Sequence, residues 1–179
     1  IFPWYSRNQP ILWFAPDPRF VIFPEELKVQ RSLKKVIKKN IFEIRINTRF
    51  EDVIERCSEI PRPGQFGTWI TEDMKHSYIQ LHHKGYSHSF EAFQDGKLVG
   101  GLYGIVVGSV FAGESMFAQV SDSSKVAFVW AVRQMIEWGV KLIDCQVYTE
   151  HLDRFGAREI PRAQYMKLLH QYKNEVVSI

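Results

Sequence analysis

Ser89-Phe90-Glu91-Ala92-Phe93-Gln94-Asp95-Gly96-Lys97-Leu98-Val99 is the stretch on which the fold turns. Two strand-like runs, Ser89 to Gln94 and Lys97 to Val107, flank Asp95-Gly96, a pair that supplies the positive-φ residues of a two-residue hairpin turn. Ser109 to Phe117 extends the hairpin into a meander. Asp122 or Ser123 is placed to cap a long helix, Ser124 to Trp138, closed by Gly139. Lys141 to Val147 then reads as a strand, and a helical crossover of this length sets it beside the meander. Meander, helix, strand and helix in that order predict an α+β domain built on a mixed sheet with flanking helices.

Downstream, Thr149 to Phe155 reads as a short helix stopped by Gly156, and Arg162 to Tyr172 as the last helix. Upstream, Thr71 with Met74 opens a helix whose Met74, Tyr78, Leu81 and His82 share a face, ended by Gly85. Pro61-Arg62-Pro63-Gly64-Gln65-Phe66-Gly67 is the best break in the chain. It divides a small N-terminal subdomain, residues 1–60, from a larger domain, 61–179. Within the smaller part, Ile11 to Ala15 and Phe20 to Phe23 are predicted strands split by the Pro16-Asp17-Pro18 turn. Ser32 is a candidate cap for a helix to about Lys39, with Leu33, Val36 and Ile37 turned inward. Phe42, Ile44 and Ile46 alternate with polar residues as in a half-buried strand, and Thr48 is a candidate cap for a helix from Phe50 to Ser58.

Composition narrows the classes of function. The chain has 179 residues, 45% of them hydrophobic, enough for a core without staples. Its two cysteines, Cys57 and Cys145, have no paired spacing, which argues against a disulfide framework or a zinc site and fits a reducing cytoplasm. No metal or cofactor is expected. No apolar run approaches the roughly 20 residues of a membrane span, and no charged n-region with an apolar segment opens the chain as in a signal peptide. The net charge of +3 is mild, but its distribution is not. Eight bases against three acids lie between Glu25 and Arg49. Arg31, Lys34, Lys35, Lys38 and Lys39 would make the predicted helix a basic face suited to phosphates, with binding that depends on salt.

The candidate chemistry lies in two segments, Gly113-Glu114-Ser115-Met116-Phe117 and Leu142-Ile143-Asp144-Cys145-Gln146. In a strand, Asp144 and Gln146 point to one face and Cys145 to the other. A carboxamide has donors and an acceptor but no titrating proton, so Gln146 suits orienting an amine while Asp144 polarises it or helps a proton leave. The glycines from Gly100 to Gly108 sit inside strands and do not open a helix, so they suit a bulge or a close backbone approach better than a dinucleotide cradle.

These segments, with Phe2-Pro3-Trp4 and Leu12-Trp13-Phe14-Ala15-Pro16-Asp17-Pro18-Arg19, resemble the leucyl/phenylalanyl-tRNA-protein transferases over nearly the whole chain. The family usually carries a few dozen residues ahead of the Phe-Pro-Trp run. The resemblance implies an acetyltransferase-like (GNAT) fold and transfer of Leu or Phe, Met more weakly, from aminoacyl-tRNA to proteins beginning with Arg or Lys, marking them for degradation by the N-degron route. It implies catalytic roles for Asp144 and Gln146 and a substrate contact at Glu114. Leu102, Phe111, Met116, Phe128 and Ile143 would form an apolar side-chain pocket, and Trp4 and Trp69 would flank the terminal adenosine, where stacking ignores upstream sequence. Two alternatives stand beside it. An acyl-CoA-dependent N-acyltransferase wants a glycine-rich turn at a helix N-terminus, but Ala118 to Ser124 has no glycine. A noncatalytic RNA-binding module is favoured by the basic helix and exposed aromatics, but Asp144 with Gln146 on one face beside an apolar pocket argues against it.

Overall fold

A computed structural model describes residues 1–3, 5, 10–60 and 68–179. Trp4 and the Pro61–Gly67 break lie outside the described residues. The chain runs β1 (Phe2–Pro3), β2 (Trp13–Phe14), β3 (Arg19–Ile22), α1 (Arg31–Lys38), β4 (Glu43–Ile46), α2 (Phe50–Glu59), α3 (Glu72–His83), β5 (Ser87–Gln94), β6 (Lys97–Val107), β7 (Val110–Ala118), α4 (Ser123–Trp138), β8 (Leu142–Gln146), α5 (Glu150–Asp153), β9 (Arg158–Ile160) and α6 (Arg162–Tyr172).

Seven strands form one sheet in the order β4-β5-β6-β7-β8-β3-β9. Every neighbouring pair is antiparallel except β7 with β8, which the α4 crossover makes parallel. This is the mixed sheet with flanking helices that the order of elements predicts. Asp95 and Gly96 both have positive φ, so the hairpin between β5 and β6 turns as its two residues require.

Strand alternation assigns the layers. Leu102, Phe111 and Ile143 face α4 in the main core, while Tyr103 and Phe117 face α2 and α3 with Val53, Ile54 and Tyr78. Leu142 and Val110 face α6 with Val21, Ile160 and Tyr165. Some local expectations change. Ser32 lies inside α1, whose N-cap is Gln30, and Thr48 hydrogen-bonds the fully buried Glu91 (Oγ1 to Oε2, 3.0 Å) instead of capping α2. Thr71 does cap α3, accepting from the Met74 amide.

The sheet also takes strands from both sides of residue 60. β3 lies between β8 and β9 near one end and β4 is the opposite edge, so these two strands of the stretch expected to form a small N-terminal subdomain share the large sheet, while β1 and β2 pair with each other in a separate two-stranded sheet. β9 carries no sequence signal. It is three residues long and exists because β3 offers it an edge.

Candidate active site

β7 and β8 start as neighbours and then part. They pair at Val110, Phe111 and Ala112 against Leu142, Ile143 and Asp144, and no further. At the point of divergence β7 is bulged: Gly104 pairs with Gly113 and Tyr103 with Ser115, so Glu114 has no residue opposite it. A bulge inserts a residue and re-aims the side chains beyond it, and such features recur beside active sites. Gly104 belongs to this geometry, because a Cβ there would lie 2.3 Å from the Ala112 carbonyl oxygen and 2.4 Å from the Phe111 ring. Gly104 thus lies opposite a bulge and also admits a close backbone approach from the neighbouring strand.

The fork opens a cleft of about 420 Å³. Leu102, Phe111, Met116, Phe128 and Ile143 all line it, as do Glu114 and Gln146. Residues from β6, β7, α4 and β8 thus converge where the sequence places only one at a time. Neither Asp144 nor Trp69 lines the cleft. Trp69 is half-buried against the cluster under α2 and α3, which reaches the cleft through Tyr103.

Asp144 and Gln146 do not share a face. Gln146 has a φ of 60°, in the left-handed region where non-glycine residues are uncommon, and this breaks the strand's alternation. Its side chain turns to the cleft, where Nε2 donates to the Gly113 carbonyl oxygen at 2.7 Å across the fork. A carbonyl can only accept, so the carboxamide nitrogen is the atom facing it and the carboxamide oxygen is left over.

Asp144 points the other way, toward α6, and is 3% exposed. Its Oδ1 accepts from Arg19 Nε (2.8 Å) and the Gln146 main-chain N–H (3.0 Å). Its Oδ2 accepts from Arg19 Nη2 (2.6 Å) and the Tyr165 hydroxyl (2.9 Å). A carboxylate has about four acceptor sites, and these four bonds fill them. Asp144 therefore reaches Gln146 through the backbone and leaves its carboxamide untouched. Arg19 is equally buried, and its guanidinium lies over the rings of Tyr165 and Phe2 at 4.8 and 5.2 Å. Burial pushes the Tyr165 hydroxyl well above its ordinary range, and the nearby Asp144 charge adds to the effect.

Glu114 is partly covered, yet the protein around it is dense enough that loss of solvation pushes its carboxyl up to about 7. A hydrogen bond from Tyr78 opposes this, the Asp144 charge adds to it and Arg19 opposes it. A carboxyl poised near 7 in a cleft can hold or release a proton at working pH. Cys145 also lines the cleft, but burial and the Asp144 charge drive its thiol far upward, away from the reactive thiolate.

Three participants escape a reading of the sequence. In the sequence Arg19 is only the end of the Leu12–Arg19 run, Tyr165 is one more residue of the last helix, and His151 has no metal-ligand partner at helical spacing. His151 lines the cleft, and its buried Nε2 has no hydrogen-bond partner among the described residues. Burial and the charges of Lys125 and Arg154 hold the imidazole below its ordinary value, hence neutral. Only contacts across the fold mark these three. Among the described residues no group of three His, Cys, Asp or Glu side chains could hold a metal ion, and no helix is long and apolar enough to cross a membrane.

The basic helix is as expected. Arg31, Lys34, Lys35, Lys38 and Lys39 are all exposed, Leu33 is buried, and none of the five bases joins an ion pair among the described residues.

Comparison with known proteins is consistent across the chain. The sequence profile described as Leucyl/phenylalanyl-tRNA protein transferase matches residues 21–170, and that of the same family's N-terminal domain matches residues 1–17. A leucyl/phenylalanyl-tRNA–protein transferase of Myxococcus xanthus is 54% identical over 175 residues, 98% of this chain and 75% of the relative. One from Saccharophagus degradans is 53% identical over 171 residues, 96% of this chain and 70% of the relative. Among solved structures, a conserved protein of unknown function from Bacteroides thetaiotaomicron superposes with a TM-score of 0.53 at 14% identity, covering 90% of this chain and 57% of that one, a likeness of fold alone.

Proposed function

We propose, for a chain that belongs to the leucyl/phenylalanyl-tRNA–protein transferase family and is an aminoacyltransferase, that the group it moves is Leu or Phe, with Met a weaker donor, and that the acceptor is the N-terminal amine of a protein beginning with Arg or Lys. The observation that carries this reading is the convergence of five apolar walls with Gln146 and Glu114 in one cleft at the β7–β8 fork. The walls suit an unbranched or γ-branched side chain, where burial contributes about 1.5 to 3 kcal/mol and Met116 adapts to either shape. Leu102, Phe111, Met116, Phe128 and Ile143 therefore hold the aminoacyl side chain and place its ester at the fork.

The ester is already activated, so positioning and proton transfer suffice. The α-amine of the acceptor attacks the ester carbonyl, the C–N bond forms, the bond to the ribose oxygen breaks, and the amine's proton leaves while the ribose oxygen gains one. The free carboxamide oxygen of Gln146 accepts from the attacking amine and aims its lone pair. Glu114, with its carboxyl near 7, takes the proton. The exposed bases of α1 contact tRNA phosphates without reading sequence, as point charges do. Transfer of this kind marks the acceptor for degradation.

The test mixes the protein with radiolabelled Phe-tRNA and a casein fragment bearing an N-terminal Arg, with labelled acetyl-CoA alongside. Label is expected in the fragment from Phe-tRNA alone. Label arriving only from acetyl-CoA would turn the assignment to an acyl-CoA-dependent enzyme, and tRNA binding with no transfer from either donor would leave a binding module.

A further inference from the structure

Residues from three distant parts of the chain close on one buried carboxylate. Arg19 comes from β3, Tyr165 from α6 and Asp144 from β8, with sequence separations of 125 and 21. We propose that Arg19 and Tyr165 are positioning residues: by filling three acceptor sites of Asp144 they fix its Oδ1 as the cap of the Gln146 main-chain N–H, and so hold Gln146 in the left-handed turn that aims its carboxamide across the fork. The inference rests on the role of Gln146 as the group that orients the amine.

Left-handed backbone is unfavourable for a residue with a Cβ, and two local bonds offset it: Asp144 accepts from the Gln146 amide, and the Cys145 carbonyl accepts from the Val147 amide at 2.8 Å. An aspartate free to rotate would satisfy other donors as readily. Here it cannot rotate, because Arg19 holds it with two parallel bonds, a geometry that fixes the carboxylate plane as a single lysine ammonium does not. The Tyr165 hydroxyl fills the remaining site on Oδ2, and its ring supports the guanidinium. Gln146 is then held at both ends, its amide on Asp144 and its side chain on the Gly113 carbonyl. The Arg19–Asp144–Tyr165 cluster lies on the α6 side of the sheet, and none of the three lines the cleft.

Tyr165→Phe keeps the ring and deletes one donor. For this variant kcat of Phe transfer is expected to fall about three- to tenfold, with KM for Phe-tRNA within about twofold of wild type. Arg19→Lys keeps the charge and loses the paired bonds, and a larger fall in kcat is expected with KM again little changed. Amide hydrogen exchange supplies the readout that a merely structural role would not move: the Gln146 amide should lose protection in Tyr165→Phe while the β5 and β6 amides keep theirs. A Tyr165→Phe protein with wild-type kcat and wild-type protection at Gln146 overturns the inference, as does uniform loss of protection across the sheet. Lost protection at Gln146 with kcat unchanged would establish the clamp and instead overturn the role given to the carboxamide.

Discussion

The two faces of β8 are built on opposite plans. Toward α4, Ile143 and Cys145 meet an open, mostly apolar cleft into which His151 brings a buried nitrogen with no partner among the described residues. Toward α6, Asp144 sits in a closed polar cluster with every acceptor site filled. One short strand thus separates a surface that must change partners from one that must never do so. The difference is physical: an apolar wall tolerates an emptied or refilled space at modest cost, whereas a buried charge that loses a partner is left with its full desolvation penalty.

Arg19→Ala attacks this contrast most directly, because it strands the Asp144 carboxylate beside α6. It should lower stability by about 3–5 kcal/mol, read as a shift of the denaturant midpoint. A change on the other face should do the reverse. Met116→Trp is expected to fill the cleft, leaving the midpoint near wild type while kcat/KM for Phe transfer drops roughly 10- to 100-fold, the worth of one side-chain site.

Glu114, at the rim between the faces, divides them through pH. Its carboxyl is raised in the fold above its ordinary 4.5, to about 7, so between these values the folded chain holds a proton that the unfolded chain has released. Stability from this group is therefore full below about 4.5 and declines as pH rises toward 7, by about 1–2 kcal/mol once partial exposure is allowed for. Glu114→Gln should flatten that decline in stability curves taken from pH 4.5 to 7.5. The smallest structural effect belongs to the exposed bases of α1. Alanine at Lys34, Lys35, Lys38 and Lys39 together should leave stability within about 0.5 kcal/mol, yet flatten the salt dependence of tRNA binding by up to about one log unit of slope for each phosphate left without its lysine. An unchanged slope removes this helix from the interface.

Much of the molecule is legible in one dimension. Asp95-Gly96 fixes the hairpin because its turn needs two positive-φ residues in sequence, and the spacing of Leu33, Val36 and Ile37 sets the inner stripe of α1 because helical periodicity is local. The apolar residues of the cleft come into view only with help from family resemblance, since Leu102 or Phe128 alone reads as ordinary core.

Local pattern along the chain is enough for the order of the elements other than β1 and β9, for the crossover that makes β7 and β8 parallel, and for the basic face of α1. Assembly in three dimensions set the rest: β3 inserts between β8 and β9, β7 bulges at Glu114, and Asp144 and Gln146 turn to opposite sides. The reason is range. Alternation is a rule for a chain in extended conformation, and it fails where a contact 125 residues away holds a carboxylate so firmly that the next turn of backbone bends to meet it.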